Sequence, residues 1–346
     1  MDPKIILQKL IEKERLNLEI PSEWRYRDIK KFGIDWELFP YQQEAIENIT
    51  DLLYLLFNDW QNQGLDKGKK DIMRLYKKYG LDQELENSLS ITKDNGNYNF
   101  LINYFPVGPR IPFEAFINRA AFWMATASGK TLVMIKLLAV LSDLISKKLI
   151  PQKDILILAP KDDILNQIKE HIDKFNKGAE ITINLKNLKE YERVKNQQSI
   201  FNKSEITVFY YRADNIAGKD MIAKKKDGQR LNYESFFNDG NWYLILDEAH
   251  KGEKETSLRQ QYFMALTKSG FLFNFSATFT DQLDIITTIY DCKLDTFLKD
   301  GYGKKLYVSD ANFQSFSRRD NTDFTDNDKK NIIVQSLLVL ALAKSH

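Results

Sequence analysis

The sequence predicts an α/β fold, a parallel sheet flanked by helices, preceded by a mainly helical region. Three observations predict it. From about residue 116 onward, short apolar runs alternate with amphipathic stretches of helical period, the pattern of strands joined by crossovers. The runs, at 120–124, 155–159, 206–210, 243–246 and 271–275, are apolar at successive positions rather than alternate ones, as strands covered on both faces must be. Three of them lead directly into residues rich in chemistry, where an open, doubly wound parallel sheet places its ligand.

In chain order, residues 1–38 are charged and helix-prone, with aromatic anchors at Trp24, Tyr26, Phe32 and Trp36. Between Tyr41 and Phe57 apolar positions recur at helical spacing. The polar stretch 58–99, rich in Lys, Asp and Asn, reads as an inserted helical lobe or a long loop, and together with the preceding helix it makes up a second region, 39–115. Residues 116–295 form the expected sheet domain, with helical patterns at 130–146, 163–175 and 254–267. Within it, 217–238 is a polar excursion carrying Lys224, Lys225, Lys226 and Arg230. A solvated hairpin is the commoner explanation of such a run, and a contact to a phosphate backbone is the other.

Composition narrows the function classes. A chain of 346 residues with 43% hydrophobic content can bury a large core. Lys and Arg outnumber Asp and Glu by only 50 to 48, so no global field draws the protein to nucleic acid, and any polyanion-binding surface must be local. The single cysteine, Cys292, excludes a disulfide framework and a multi-cysteine zinc site. Met1-Asp2-Pro3-Lys4 leads into an amphipathic pattern rather than a signal peptide. The longest apolar run, 332–343, is broken by Gln335 and Ser336 and is too short to span a bilayer. A cytoplasmic protein without membrane association is the expectation.

The strongest local signal is Met124-Ala125-Thr126-Ala127-Ser128-Gly129-Lys130-Thr131, where an apolar run ends and a helical pattern begins. In that setting backbone N–H groups and a helix N-terminus face anionic phosphates. Lys130 can reach the β and γ oxygens of ATP, and the Thr131 hydroxyl can ligate Mg²⁺. A second apolar run ends in Asp247-Glu248-Ala249-His250. Asp247 suits Mg²⁺ held through water, and Glu248 suits the orientation or deprotonation of the attacking water. Two acids after a strand can also be a helix cap with its neighbour, but the upstream phosphate loop makes that the lesser reading. The third run leads into Ser276-Ala277-Thr278, small hydroxyl residues that could simply cap a helix.

Taken in order, these segments resemble the motifs of superfamily 2 helicases and translocases, whose first motor domain is RecA-like. Phe39-Pro40-Tyr41-Gln42 resembles the glutamine motif, Ala125 to Thr131 motif I, Leu158-Ala159-Pro160 motif Ia, Asp247 to His250 motif II, and Ser276 to Thr278 motif III. The resemblance implies ATP and Mg²⁺ as cofactors and Gln42 as the reader of adenine. It also implies Ser276 and Thr278 as couplers of nucleotide state to nucleic-acid contact, His250 as a structural or coupling partner of Glu248, and Pro160 and Lys161 near the tracked strand. Within the superfamily, Tyr41-Gln42, the long insertion and Phe275-Ser276-Ala277-Thr278-Phe279 look most like the motor subunits of type III restriction enzymes. The implied activity is ATP-driven translocation on duplex or single-stranded DNA, beside a modification or specificity subunit. An RNA helicase motor and a nucleotide-binding module without turnover are the alternatives.

Two departures are visible. Ala127 stands where motif I normally has glycine. If the backbone there needs positive φ, alanine costs about 1–2 kcal/mol, and if not, its methyl crowds the phosphate, so weakened ATP binding is expected. Too few residues follow Thr278 to carry a second RecA-like domain with its arginine finger. Arg318-Arg319 lacks the Gln and Gly context of that finger, and Asp320 to Asp328 lacks the glycine and closing glutamate of a calcium loop. With Thr325 and Asp328 placed to cap a helix and 332–343 left without its cover, residues 296–346 read as a linker and the start of a second domain in a longer protein. No nuclease signature is recognisable. Binding of ATP with weak turnover is the expectation for these residues alone.

Overall fold

The computed structural model describes residues 7–80, 112–197, 201–202, 205–217, 231–232, 236–248 and 258–302. Ala249, His250, Lys224, Lys225, Lys226, Arg230 and everything beyond Tyr302 lie outside the described residues. Three helices come first: α1 (Leu7–Arg15), α2 (Pro40–Phe57) and α3 (Trp60–Lys78). The sheet domain then runs β1 (Arg119–Met124), α4 (Lys130–Ser146), β2 (Asp154–Ala159), α5 (Asp162–Asn176), β3 (Thr182–Asn187), α6 (Tyr191–Gln197), β4 (Phe201–Asn202) and β5 (Glu205–Arg212). It continues through β6 (Ile216–Ala217), β7 (Leu231–Asn232), β8 (Trp242–Asp247), α7 (Leu258–Leu266), β9 (Phe271–Ser276), α8 (Gln282–Ile286), β10 (Thr288–Cys292) and α9 (Leu294–Lys299).

Seven strands run parallel in the order β10-β1-β9-β8-β2-β5-β3, with β4 antiparallel on β5 and a small separate pair of β6 and β7. The evenly apolar runs explain the centre of this order. β1, β2, β8 and β9 are buried at every position, and Phe122 stacks face to face on Phe275 across β1 and β9 at 4.2 Å. Helix α4 is buried along nearly its whole length. Helix α5 buries one stripe, Leu165, Ile168, Ile172 and Phe175, at the spacing of a single helix face.

The described residues all belong to one compact unit, Met1–Tyr302, and α9 straddles the boundary expected at 295/296. The N-terminal helices cover the β10 edge of the sheet. Asn48 Nδ2 donates to the Ile289 carbonyl at 3.1 Å, Tyr290 Oη to Glu44 Oε2 at 3.1 Å, and the Asp291 N–H to Gln8 Oε1 at 2.9 Å. Asp51, fully buried, holds Arg15 and Arg25 at 2.6 Å each and so ties α1 and the following segment to α2. A buried ion pair closes the next layer. Arg119 Nη2 on β1 meets Asp284 Oδ1 on α8 at 2.6 Å, and Asn274 Nδ2 on β9 donates to the same oxygen at 3.0 Å.

Two lysines are buried against carbonyls. Lys69 Nζ on α3 donates to the Ala115 and Lys268 carbonyls at 2.9 and 3.1 Å, and Lys136 Nζ on α4 donates to the carbonyls of Asp28 and Lys31. Loss of hydration pushes both ammonium groups down to about 8. No described helix is long and apolar enough to cross a membrane.

Candidate functional site

Register decides which residues meet. Trp123 on β1 pairs with Ser276 on β9, Asp247 on β8 pairs with Phe275, and Leu158 on β2 pairs with Leu246. The carboxyl ends of four strands therefore lie along one edge. They set the loop 125–129, Ser276 to Thr278, Asp247 with Glu248, and Pro160 with Lys161 side by side. Because β9 sits between β1 and β8, its loop can touch both neighbours.

The loop after β1 is held at both ends. The Ala125 N–H donates to the Cys292 carbonyl at 2.8 Å, and Ser128 returns both its N–H (3.2 Å) and its hydroxyl (2.7 Å) to the Ala125 carbonyl. The Ser128 carbonyl in turn accepts from Tyr41 Oη at 2.6 Å and Gln42 Nε2 at 3.0 Å. Gln42 also caps its own helix, its Oε1 accepting the Phe39 N–H at 2.9 Å. Burial raises the Tyr41 hydroxyl far above the ordinary tyrosine range, so it stays a donor. Phe39, half exposed, lies parallel to Tyr41 with ring centres 5.9 Å apart, and Tyr302 closes on Tyr41 at 4.6 Å.

Two residues of the loop are left-handed: Ala127 at φ 65° and Gly129 at φ 76°. Glycine suits 129 because it adopts this φ without strain, and a Cβ there would stand 2.3 Å from Gln42 Nε2 and push that amide from the Ser128 carbonyl. Ala127 has no such release and carries the cost anticipated for positive φ. Thr126 and Ala127 are exposed, whereas Ser128 is buried, and Lys130 and Thr131 are half-buried at the first turn of α4. Leu132 and Val133 give their N–H groups to the Gly129 carbonyl at 2.9 and 3.3 Å, and those of Lys130 and Thr131 precede the helical ladder.

Opposite the loop, Glu248 also has positive φ, 55°, and its N–H donates to the Phe275 carbonyl at 2.9 Å. Strain of this kind persists where surrounding contacts over-determine it. Here they do: Glu248 Oε1 takes Lys130 Nζ in an ion pair and accepts the Ala277 N–H at 3.0 Å, and Oε2 accepts the Ser276 hydroxyl at 3.3 Å. The Thr278 N–H closes on Ser276 Oγ at 3.0 Å. Asp247, 4% exposed, ends β8 beside this group.

The structure thus brings Lys130, Glu248, Ser276 and Ala277 into one contact group. Thr131 and Asp247 stand at the adjoining strand and helix ends, and Gln42 lies behind the loop. Pro160 and Lys161 lie one strand beyond β8, with Lys161 exposed at the start of α5. Sequence reasoning missed two participants. Tyr41 was passed over beside Gln42 as a holder of the loop. Trp123, whose indole N–H donates to the Ala277 carbonyl at 3.0 Å, gave no signal in a run read as core.

The profile described as type III restriction enzyme, res subunit, matches residues 35–281, a span that takes in every motif from Phe39 to Thr278. The chain belongs to that family. Res-family chains of this kind hold a helicase-type, ATP-dependent motor domain. Among solved structures, the UvsW helicase from bacteriophage T4 is similar at 14% sequence identity, covering 60% of this chain and 70% of that chain with a TM-score of 0.28. No curated protein matches this res-family chain.

Proposed function

We propose that this res-family domain binds ATP with Mg²⁺ between the loop 125–131 and Asp247–Glu248, and that its hydrolysis drives movement along DNA within a restriction or other defence system. The observation that carries the reading is the Lys130–Glu248 ion pair, with Ser276 and Ala277 on the same carboxylate. It gathers the cation for the phosphates, the acid for the water and the coupling loop into one group.

The site fits the ligand on its own chemistry. Left-handed residues at 127 and 129 fold the loop back toward the first turn of α4. The N-terminus of α4 offers the Lys130 and Thr131 N–H groups to phosphate oxygens. Ala125, Thr126, Ala127, Ser128 and Gly129 supply the wall, and Lys130 exchanges Glu248 for the β and γ oxygens. Gln42 reads adenine with the amide hydrogen that Ser128 does not take, beside the exposed Phe39 ring. Among the described residues no three His, Cys, Asp or Glu side chains gather into a metal cage. Thr131 and Asp247 are the protein oxygens assigned to Mg²⁺, Asp247 through water. Bound Mg²⁺ neutralises the phosphate oxygens and aligns them. Glu248, released from Lys130, turns its carboxylate to the attacking water and takes its proton.

Ser276 and Thr278 report that exchange to the nucleic-acid side of the edge, where Pro160 and Lys161 meet the strand. His250 and the Lys224, Lys225, Lys226 run are assigned auxiliary parts, as partner of Glu248 and as backbone contacts. A modification or specificity subunit directs the motor to its site. The described residues make a single RecA-like sheet, whereas related motors complete the site with an arginine from a second one, so turnover by residues 1–346 is proposed to be slow. Titration with a fluorescent ATP analogue, followed by phosphate release with duplex DNA, single-stranded DNA or RNA, tests the reading. Binding that needs Mg²⁺, with DNA the better stimulant, is expected. No binding overturns the ATP site, and stimulation by RNA alone overturns the DNA assignment.

A further inference from the structure

Ala277 is gripped on both of its peptide groups. Its N–H donates to Glu248 Oε1 at 3.0 Å, and its carbonyl accepts the Trp123 indole N–H at 3.0 Å. Trp123 is only 8% exposed and its own position is fixed. Phe279 meets its ring edge-on at 5.7 Å, Lys293 Nζ lies 4.0 Å from the ring centre, and β1 pairing places it opposite Ser276. The indole is also two residues before Ala125, on the strand that delivers the phosphate loop. An indole has one donor and no acceptor, so its N–H can serve the loop in only one way.

We propose that Trp123 is a positioning residue that sets Ala277 against Glu248, so that when Glu248 changes partner the displacement passes into the segment 276–279. The inference rests on the reading of Lys130 and Glu248 given above, and adds a residue outside every recognised motif. Glu248 and Trp123 hold the two successive amide planes that meet at the Ala277 Cα. When Lys130 leaves Glu248, the carboxylate loses one of its holds and shifts, and the acceptor of the Ala277 N–H shifts with it. The indole then anchors the 277–278 peptide while the 276–277 peptide turns about the Ala277 Cα, and Phe279, in contact with the same ring, follows.

The test is read on the indole itself. In protein labelled with ¹⁵N-tryptophan, the five indole resonances include Trp123, identified by its loss in Trp123→Phe. Phe279→Leu keeps the hydrogen bond but removes the adjacent ring current, and identifies the same signal if Trp123→Phe does not fold. Addition of a non-hydrolysable ATP analogue with Mg²⁺ is expected to move the Trp123 resonance. Trp242, whose indole donates to the Phe236 carbonyl at 2.8 Å away from the site, stays in place as the internal reference. In Trp123→Phe, nucleotide affinity is expected to hold within about twofold while turnover falls about five- to tenfold, the factor that one neutral hydrogen bond carries. Analogue binding with an unmoved Trp123 resonance, or unchanged turnover in Trp123→Phe, overturns the proposal and leaves the ATP site standing. Failure of wild type to bind the analogue overturns the ATP site and this inference together.

Discussion

Ala127→Gly isolates the strain held in the phosphate loop. Ala127 sits at φ 65° and is exposed, so the substitution removes a methyl with no packing to lose. An L-residue in the left-handed region costs about 1–2 kcal/mol relative to the right-handed one. Glycine cancels that cost, but its freer unfolded chain returns about 0.4–1 kcal/mol. A net gain near 1 kcal/mol remains, which for a unit of this size raises the thermal midpoint by roughly 1–4 °C. The strain is already present without nucleotide, so it cancels from the binding equilibrium if the loop keeps its shape. ATP affinity should then change by less than about twofold. This shifts the expected penalty of Ala127 from binding to folding. Calorimetric melts of wild type, Ala127→Gly and Ala127→Val give the comparison, with the β-branched residue expected to melt below wild type. A midpoint that falls in Ala127→Gly, or an Ala127→Val protein as stable as wild type, refutes the reasoning. A large gain in affinity would show instead that the loop changes conformation as it binds.

Lys130→Ala should weaken nucleotide binding by more than about a hundredfold in isothermal titration, as expected when the cation on the phosphates is removed. Gly129→Ala puts an L side chain at φ 76° and displaces Gln42 Nε2 from the Ser128 carbonyl, so it should lower the thermal midpoint, and a variant as stable as wild type would contradict the left-handed turn at 129. Asp284→Ala strands Arg119 in the interior and should cost about 3–5 kcal/mol in urea unfolding, and a loss below about 1 kcal/mol would be too small for a buried pair. Lys69 and Lys136, pushed down to about 8 from an ordinary 10.5, leave the folded protein with fewer protons than the unfolded chain between those values, so their burial penalty fades and stability rises as pH climbs from 8 to 10.5. Lys69→Met should flatten that rise by about 3 kcal/mol in urea melts across the window, and an unchanged slope would rule out Lys69 as its source.

The centre of the sheet was legible because burial on both faces leaves no choice of residue, and 120–124, 155–159, 243–246 and 271–275 fall within β1, β2, β8 and β9. The edges were not. β3 reads Thr-Ile-Asn-Leu-Lys-Asn and is only partly buried, and β10 carries Thr288 and Asp291, so neither shows the apolar run that marked the others. Lys130, Asp247, Glu248 and Ser276 were legible as side chains with distinctive chemistry after strands. What held them was hidden, since Tyr41, Gln42 and Trp123 act on the main-chain carbonyls of Ser128 and Ala277, and a carbonyl has no letter in the sequence. The sign of φ at Ala127 was equally open until the loop was seen between Ala125 and Gly129.

The cover of β10 by the N-terminal helices sets an order of events during synthesis. Gln8, Glu44 and Asn48 find their partners at Asp291, Tyr290 and Ile289, separations of 283, 246 and 241 residues. The apolar faces of α1 and α2 leave the ribosome first and wait through most of translation for the strand that receives them. At about 5–20 residues per second, that wait lasts tens of seconds. Contacts of such range close slowly, and the waiting helices are the surface a chaperone would meet. A circular permutation opened in the 81–111 region would place α1–α3 after β10, with the chain joined through a new linker, and should shorten the refolding time without touching the phosphate loop.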